Sequence, residues 1–362
     1  MNPLHALAEH GQSVWLDFIR RDLLDSGALA RMIAADDLRG LTSNPAIFEK
    51  AIAGTTLYDA ALRELVQAGE RDPERLAERL AIQDIQAAAD VFRPVFERTH
   101  GADGWVSLEV SPRLAHDSAG TLAEARRLHA AVARPNLMIK VPGTPAGVPA
   151  IRTLIAEGIC VNVTLLFSRS AYHLVAEAYL QGLEQRAAAG LPLDTLASVA
   201  SFFVSRIDSA VDPRLPPELQ GKVAIANARL AYQDDLNRRY GERWQRLAAQ
   251  GARAQRLLWA STGTKNPAYP DTLYMDALIG PDTVNTVPPA TLDAFRDHGN
   301  VARTLDSDFA GARAVLDALP GHGVDLEETC ATLVRDGVKL FADAHAQLLA
   351  AVAGKLKTLP AR

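Results

Sequence analysis

Cysteine is scarce in this sequence, which has only Cys160 and Cys330 among 362 residues. Two cysteines cannot form the disulfide framework of a small secreted domain, and they suit a reducing compartment. Long apolar runs are also missing, because no uncharged stretch exceeds eleven residues, whereas a membrane-spanning helix needs about 20. The first residues lack the basic and apolar segments of a signal peptide. We therefore expect a cytoplasmic protein without a membrane anchor.

An excess of basic charge is absent as well, because 38 lysine and arginine residues stand against 43 acidic residues, a formal net charge of −5. This balance argues against nucleic acid or an anionic membrane as a partner. Glycine motifs for nucleotides and dinucleotides are missing, and the nine histidines show no close pairing typical of metal ligands. The 48% of apolar residues is typical of an ordinary globular protein. We expect an enzyme or a binding protein, and the spacing of the histidines weakens the hypothesis of a metal site.

Eight short apolar segments alternate with longer segments of helical pattern. The predicted strands cover residues 14–19, 40–43, 105–110, 137–141, 159–167, 196–204, 257–261 and 283–287. This alternation indicates βα units around a parallel sheet, and eight such strands close into a barrel. The sequence therefore predicts an α/β protein with a (β/α)8 TIM barrel.

The predicted helices lie between and after these strands. Residues 45–104 are long enough for two helices, and Asp72 followed by Pro73 is typical of a helix N-terminus. Residues 121–124 form a capping-box pattern for another helix. From about residue 290 the pattern is mostly helical, which predicts C-terminal helices that wrap the barrel. No repeat, linker or change in composition divides the chain, so we expect one domain over residues 1–362.

Polar side chains lie on or just after seven of the eight predicted strands. Burying them costs several kcal/mol unless they are paired, and in barrel enzymes the C-terminal ends of the strands carry the catalytic groups. A single serine or threonine there is commonly a satisfied buried group, but the whole set predicts an active site. Its members are Asp17, Thr42, Asn44, Glu109, Lys140, Asn162, Thr164, Ser201, Arg206, Ser261 and Lys265.

Lys140 is the most informative of these residues, because it lies within the apolar segment Leu-Met-Ile-Lys-Val. Burial disfavours an ammonium ion, and a neutral amine can attack a carbonyl to form a Schiff base. Glu109 is suited to shuttle the proton that imine formation requires, with the Thr164 hydroxyl holding the water. Asp17 is suited to take a proton from a substrate hydroxyl. The alternative is a structural salt bridge between Lys140 and Glu109 or Asp17.

Cationic side chains near the sixth and seventh predicted strands suggest an anion site. Arg206 ends the sixth strand, and Lys265 closes the Ser-Thr-Gly-Thr-Lys segment after the seventh. Phosphate sites of barrel enzymes commonly lie in this region, and hydroxyl and backbone N–H groups can assist the charges. We therefore predict a site for a phosphate monoester. The alternative for Arg206 is an ion pair with Asp208 or another acid.

Five segments resemble the transaldolase family of sugar-phosphate transferases. They are Leu-Thr-Ser-Asn-Pro at 41–45, Val-Ser-Leu-Glu-Val at 106–110, Ile-Lys-Val-Pro at 139–142, Asn-Val-Thr-Leu-Leu-Phe-Ser at 162–168 and Ser-Phe-Phe-Val-Ser-Arg at 201–206. The chain length and residues 259–267 resemble the longer bacterial branch. The resemblance implies a TIM barrel of the pentose phosphate pathway that needs no cofactor. The implied reaction moves a dihydroxyacetone unit from sedoheptulose 7-phosphate to glyceraldehyde 3-phosphate, giving erythrose 4-phosphate and fructose 6-phosphate.

The resemblance also implies roles for individual residues. Lys140 is the implied Schiff-base lysine, Glu109 and Thr164 bind the catalytic water, and Asp17 handles the proton of the substrate hydroxyl. The implied substrate-binding residues are Asn44, Thr42, Asn162, Ser201, Phe203, Arg206, Ser261 and Lys265. The shorter branch has a second phosphate-binding arginine where this chain has Gly263, and Lys265 is the expected substitute.

Three other functions compete with this one. Fructose-6-phosphate aldolases share the lysine and the barrel, but they have glutamine at the position of Glu109 and tyrosine at that of Phe203. A metal-dependent barrel hydrolase is disfavoured by the scattered histidines, and a sugar-phosphate-binding protein without catalysis is the third alternative. We expect phosphorylated ketoses and aldoses as partners, and a monomer or homodimer.

Overall fold

Eight parallel strands form a closed barrel in the computed structural model, which describes residues 2–358. They are β1 (Gln12–Asp17), β2 (Gly40–Thr42), β3 (Trp105–Glu109), β4 (Leu137–Pro142), β5 (Val161–Leu166), β6 (Ser198–Phe203), β7 (Arg256–Ala260) and β8 (Thr283–Val287). Each strand pairs with the next along the chain, and β8 pairs with β1. The TIM-barrel prediction is confirmed. All eight predicted strands exist, with ends that differ by no more than two residues.

Sixteen α-helices surround the barrel within residues 2–358. They are α1 (Pro3–Glu9), α2 (Arg21–Asp25), α3 (Ala28–Asp36), α4 (Pro45–Ala53), α5 (Asp59–Gln67), α6 (Pro73–Arg98), α7 (Ser118–Val132), α8 (Gly147–Glu157), α9 (Arg169–Ala188), α10 (Ser205–Val211), α11 (Val223–Tyr240), α12 (Glu242–Ala248), α13 (Leu273–Ala277), α14 (Pro289–His298), α15 (Phe309–Ala318) and α16 (Leu326–Thr358). None of these helices is long and apolar enough to cross a membrane.

Two details of the helix prediction are wrong. Three helices, α4, α5 and α6, fill the segment between β2 and β3 where two were predicted. The segment around Gly54 and Thr56 separates α4 from α5, and Asp72 caps α6 as predicted. The capping box at Thr121 does not begin a helix, because Asp117 caps α7 by accepting a hydrogen bond from the Gly120 amide.

Side chains fill the barrel interior towards the N-terminal ends of the strands. Trp15 on β1 is fully buried and lies in register with Gly40 on β2. A Cβ atom at Gly40 would lie 2.6 Å from the Trp15 ring, so glycine makes room for the indole. At the N-terminal end of the strands, Asp103 accepts a hydrogen bond from Ser13 and forms an ion pair of 2.9 Å with Arg256. The filled interior leaves the C-terminal end as the open end.

The C-terminal helices cover the outside and the open end of the barrel. Helix α14 packs on α1 and β1, α15 packs on α11, and α16 packs mainly on α4 and also contacts α6, α10 and β5. The predicted C-terminal helical segment that wraps the barrel is confirmed. Helix α4 begins just after the C-terminal end of β2, and β5 ends at the same side of the barrel. Helix α16 contacts both elements and therefore lies beside the open end.

Candidate active site

A cavity of about 590 Å³ lies at the C-terminal end of the strands. Ten of the predicted site residues line it: Asp17, Thr42, Asn44, Lys140, Thr164, Ser201, Phe203, Arg206, Ser261 and Lys265. The remaining two, Glu109 and Asn162, are adjacent, because Glu109 contacts Lys140 and Asn162 hydrogen-bonds Ser201. The structure therefore brings all twelve predicted residues to one place.

Lys140 and Glu109 form the buried centre of the site. They lie in register on β4 and β3, with Lys140 Nζ 3.4 Å from Glu109 Oε2, and their side chains are 6% and 3% exposed. Lys140 also donates a hydrogen bond of 3.1 Å to the Ser43 carbonyl. Burial raises the pKa of Glu109, while the neighbouring Lys140 charge opposes this shift. A carboxyl group that keeps its proton beside an amine can pass that proton to a departing hydroxyl.

Thr164 reaches the cavity from a distorted strand. The pairing of β5 with β6 shifts register between Val163 and Leu166, and Leu165 has a left-handed backbone with φ of 60°. Such a bulge changes the direction of the strand, and strain of this kind is common at functional sites. The Thr164 hydroxyl is fully buried and has no hydrogen-bond partner within residues 2–358. It is therefore available to a water molecule or a substrate.

Asp17 lies at the end of β1 and receives hydrogen-bond support from the next strand. The Thr42 hydroxyl donates to Asp17 Oδ1 at 2.7 Å and lies 2.6 Å from the Thr286 hydroxyl on β8. Burial raises the pKa of Asp17, whereas Lys140, the Thr42 hydrogen bond, Arg206 and Lys265 lower it. A carboxylate with a raised pKa in a cavity is suited to take a proton from a hydroxyl group.

Two asparagines contribute polar groups at the cavity, Asn162 from β5 and Asn44 from the N-terminus of α4. Asn162 is fully buried, donates to the Ser107 hydroxyl at 3.0 Å and accepts a hydrogen bond from Ser201 at 2.7 Å. Asn44 caps α4, because its Oδ1 accepts a hydrogen bond of 3.0 Å from the Ile47 amide. The Asn44 amide group makes no hydrogen bond to any other described residue and remains available to a ligand.

Arg206 and Lys265 are two cations that line the cavity after β6 and β7. Within residues 2–358, no carboxylate forms an ion pair with Arg206 or Lys265. The alternative pairing of Arg206 with Asp208 is wrong, since Asp208 accepts hydrogen bonds from the Ala224 amide and the Tyr274 hydroxyl instead. The Arg206 guanidinium lies 5.3 Å from the centre of the Phe203 ring, and burial lowers its pKa. A partly buried guanidinium without a counterion is well suited to bind a phosphate.

Ser261 and Gly263 shape this side of the cavity. Ser261 has a left-handed backbone with φ of 57°, and its hydroxyl lies 2.9 Å from that of Ser205 at the start of α10. Gly263 also lines the cavity, and a Cβ atom there would lie 3.0 Å from the Thr291 hydroxyl. The chain therefore runs close to α14 at this point and leads to Lys265.

Sequence reasoning missed part of the lining. Thr286 contacts the cavity from β8, the one strand to which no functional residue was assigned, although a hydroxyl at the end of a buried strand is the same signal used elsewhere. Lys50 on α4 and Leu340 and Phe341 on α16 also line the cavity. These three carry no local signal, because a single lysine or two adjacent apolar residues occur in any amphipathic helix.

Helix α16 approaches the site closely at Gly337. A Cβ atom there would lie 2.9 Å from Leu165 and 3.7 Å from Arg206 Nη1. The absence of a side chain at this position lets the helix pack against the bulged strand and the guanidinium. Among residues 2–358, no group of three histidine, cysteine or carboxylate side chains is arranged to hold a metal ion.

The similarity of this chain to known proteins extends over nearly its whole length. Residues 14–352 match the family described as Transaldolase/Fructose-6-phosphate aldolase. A protein named Transaldolase from Neisseria gonorrhoeae is 51% identical over 340 residues, covering 94% of this chain and 96% of that protein. Those from Thermobifida fusca and Trichodesmium erythraeum are 50% and 45% identical over 363 and 375 residues, with at least 98% of each chain covered. The chain therefore belongs to the transaldolase family, as the strand motifs and the arrangement of Lys140, Glu109 and Asp17 indicated.

Proposed function

We propose that this chain transfers a dihydroxyacetone unit from sedoheptulose 7-phosphate to glyceraldehyde 3-phosphate through an imine on Lys140. The observation that carries the proposal is the buried contact of 3.4 Å between Lys140 Nζ and Glu109 Oε2 at the edge of a cavity that also holds Asp17. An amine that can react with a carbonyl, an acid that can remove water and a second carboxylate are the three groups that the reaction requires. No resident cofactor takes part in the proposed chemistry.

Imine formation uses Lys140, Glu109 and Thr164. The Lys140 amine attacks the C2 carbonyl of the ketose and gives a carbinolamine. Glu109 transfers its proton to the carbinolamine hydroxyl, which leaves as water, and the C2=N bond of an iminium ion forms. The Thr164 hydroxyl holds this water, because it is buried and makes no hydrogen bond to the described residues. Glu109 is then a carboxylate beside the iminium cation, which lowers the cost of its charge.

Cleavage and transfer use Asp17. Its carboxylate takes the proton of the C4 hydroxyl, the C3–C4 bond breaks, and the bonding electrons move into the iminium to give an enamine on Lys140. Erythrose 4-phosphate leaves. The enamine carbon then attacks the aldehyde of glyceraldehyde 3-phosphate, and Asp17 returns the proton to the new hydroxyl. Hydrolysis of the iminium releases fructose 6-phosphate and restores the Lys140 amine and the Glu109 proton.

The remaining site residues bind the substrate in this proposal. Asn44 offers its free amide group to the dihydroxyacetone part, and Thr42, Asn162 and Ser201 add polar groups from β2, β5 and β6. Arg206 binds the phosphate, assisted by Ser261 and Lys265. The Phe203 ring packs against the Phe167 ring, with 5.0 Å between the ring centres, and offers an apolar surface to the Arg206 guanidinium. This division separates the reacting carbons from the anionic end of the sugar.

Three properties of the whole molecule are part of the proposal. We propose that the chain acts as one domain, because β8 closes on β1 and α16 packs back onto α4. Cytoplasmic location suits Cys160 and Cys330, which are buried and form no disulfide. The active form is a monomer or a homodimer, since the proposed machinery comes from a single chain.

Borohydride trapping tests the proposed function. The protein is incubated with fructose 6-phosphate, reduced, digested and analysed by mass spectrometry, with Lys140→Arg as the matched variant that keeps the charge but cannot form the imine. We expect an adduct on the peptide that contains Lys140 and none in the variant. A folded, unmodified wild-type protein would favour the sugar-phosphate-binding alternative. Release of free dihydroxyacetone at the transfer rate without an aldehyde acceptor would favour the aldolase alternative.

A further inference from the structure

A second cavity, of about 90 Å³, is lined by Glu109, whereas the substrate cavity is lined by its neighbour Lys140. It is enclosed by β3, α4, α6, α7 and α16, and we call it the side cavity. Its polar lining includes Glu109, Ser111, Glu74 and His345. Asn44 lines both cavities. Glu109 therefore stands between the substrate cavity, through Lys140, and the side cavity.

Buried polar atoms without partners surround the side cavity. Neither oxygen of Glu109 makes a hydrogen bond within residues 2–358, and the same holds for Ser111 Oγ and His345 Nε2. Buried polar groups are nearly always satisfied by protein or by ordered water, because leaving them unpaired is costly. A cavity of this size has room for several water molecules, and these atoms give each of them hydrogen-bond partners.

The exposure of these side chains increases along one direction. Glu109 is 3% exposed, His345 is 16% exposed, and Glu74 is 48% exposed. His345 Nε2 lies 3.6 Å from Glu74 Oε1, too far for a direct hydrogen bond. Burial lowers the pKa of His345, so the neutral ring can both donate and accept hydrogen bonds. The lining of the side cavity thus extends from the buried Glu109 carboxyl group to the exposed Glu74 on α6 and to His345 on α16.

We propose that the side cavity is the route by which the water of the imine steps exchanges with solvent while a sugar phosphate fills the substrate cavity. This inference rests on the proposed function. When the C2–O bond of the carbinolamine breaks, its oxygen leaves as water with the Glu109 proton. That water moves past Glu109 towards Ser111 and His345, and water from the same route attacks the iminium when the product is released. Ser111 and His345 are positioning residues, since they act on water rather than on the sugar.

The test uses oxygen exchange in a background where the sugar cannot be cleaved. In Asp17→Asn the proposed imine forms, but the C3–C4 bond stays intact, so fructose 6-phosphate occupies the substrate cavity throughout. In H₂¹⁸O, label enters C2 only when the released water leaves before the imine is hydrolysed. The measured quantity is the rate of ¹⁸O incorporation divided by the rate of imine formation from borohydride trapping, corrected for exchange without enzyme.

Two substitutions obstruct the side cavity in different ways. Ala81→Leu fills it from α6 without removing a polar group, and His345→Leu removes one of the hydrogen-bonding atoms. We expect His345→Leu to lower the exchange ratio roughly threefold to tenfold, the effect of losing one hydrogen bond. Ala81→Leu should also lower the ratio, because the larger side chain takes the place of water. His345→Gln, which keeps a polar group, restores the ratio. Ala131→Leu on the exposed end of α7 and His322→Leu, also exposed, are matched controls that leave the ratio unchanged.

The outcomes separate this inference from the proposed function. Equal exchange ratios in all folded variants would show that water leaves through the substrate cavity, beside the bound sugar, and would overturn the side-cavity route. Trapped imine without ¹⁸O exchange in Asp17→Asn would overturn it too. Failure to trap imine even in the wild-type enzyme would overturn the proposed function, and this inference with it. If Ala81→Leu does not fold, the comparison of His345→Leu with His345→Gln decides.

Discussion

Asp17 and Thr42 lie in register on neighbouring strands, and the Thr42 hydroxyl donates a hydrogen bond of 2.7 Å to the Asp17 carboxylate. The same hydroxyl lies 2.6 Å from that of Thr286 on β8. Three adjacent strands thus fix the orientation of one carboxylate, with Lys140, Arg206 and Lys265 near enough to lower its pKa. This arrangement distinguishes Asp17 from Glu109, which forms an ion pair of 3.4 Å with Lys140.

Asp17→Asn should abolish transfer but keep imine formation. The amide cannot take the C4 hydroxyl proton, so we expect kcat to fall roughly 10²- to 10⁴-fold, while borohydride still traps fructose 6-phosphate on Lys140. A coupled assay of erythrose 4-phosphate formation and a trapping assay measure the two steps. Equal losses of both activities would contradict the assignment of Asp17 to cleavage alone.

The pH dependence of transfer should follow Asp17. Burial raises its pKa above the ordinary aspartate value, and the base must be deprotonated to act. We therefore expect kcat/KM to fall about tenfold per pH unit on the acid side of the raised pKa. The measurement is kcat/KM from pH 4.5 to 8. A flat acid limb over the whole range would contradict the assignment.

Asp17→Asn should also stabilise the protein at neutral pH. A raised folded-state pKa means that the protonated form is favoured in the folded protein, and this contribution is lost as the pH rises through the folded pKa. Removing the charge should therefore raise Tm by a few degrees at pH 7.5. The difference should shrink as the pH falls through the folded-state pKa and disappear below about pH 3, where the carboxyl is protonated in both the folded and the unfolded protein. Thermal unfolding at both pH values provides the check, and a lower Tm of the variant at pH 7.5 would contradict it.

Glu109→Gln should slow imine formation before any other step. The amide keeps the shape of the side chain beside Lys140 but has no proton to transfer, so we expect the trapping rate to fall roughly 10²- to 10⁴-fold. Rapid-quench trapping measures this rate, and Glu218→Gln on the surface is the matched control. If the variant traps the imine at the wild-type rate, another group supplies the proton.

Arg206 and Lys265 should contribute unequally to phosphate binding. Arg206→Ala removes a half-buried guanidinium, and we expect KM for fructose 6-phosphate to rise roughly 10- to 150-fold with a small change in kcat. Lys265 is exposed, so Lys265→Ala should raise KM no more than about fivefold. Steady-state kinetics with the exposed Arg246→Ala as control tests both values. A larger increase in KM for Lys265→Ala than for Arg206→Ala would make Lys265 the main phosphate-binding residue and contradict the prediction.

Gly40→Ala should destabilise the barrel. The added methyl group would lie 2.6 Å from the Trp15 ring, which is fully buried and cannot move freely. We expect a loss of roughly 1–3 kcal/mol in the free energy of unfolding, measured by urea denaturation. Gly354→Ala is the matched control in an exposed part of α16 with nothing within 4 Å of its Cβ position, and it should stabilise by roughly 0.5–1 kcal/mol. Equal effects of the two substitutions would contradict the packing argument.

The barrel and most of the site could be predicted from the sequence, because the signals are local. Apolar strands such as β4 keep their character whatever surrounds them, and a lysine at position 140 is conspicuous there. Parallel strands all end at one side of a barrel, so residues 17, 109, 140 and 164 had to converge there.

Only the tertiary structure decided how distant segments complete this site. Gly337, Leu340 and Phe341 reach the cavity because α16 packs on α4, nearly 300 positions away in the chain, and an amphipathic helix does not specify its partner. Whether Arg206 pairs with Asp208 depended on where α11 and Tyr274 lie. The side cavity behind Glu109 exists because five elements meet without filling the space between them. Composition and periodicity describe which faces are buried, but the volume left between buried faces depends on their three-dimensional packing.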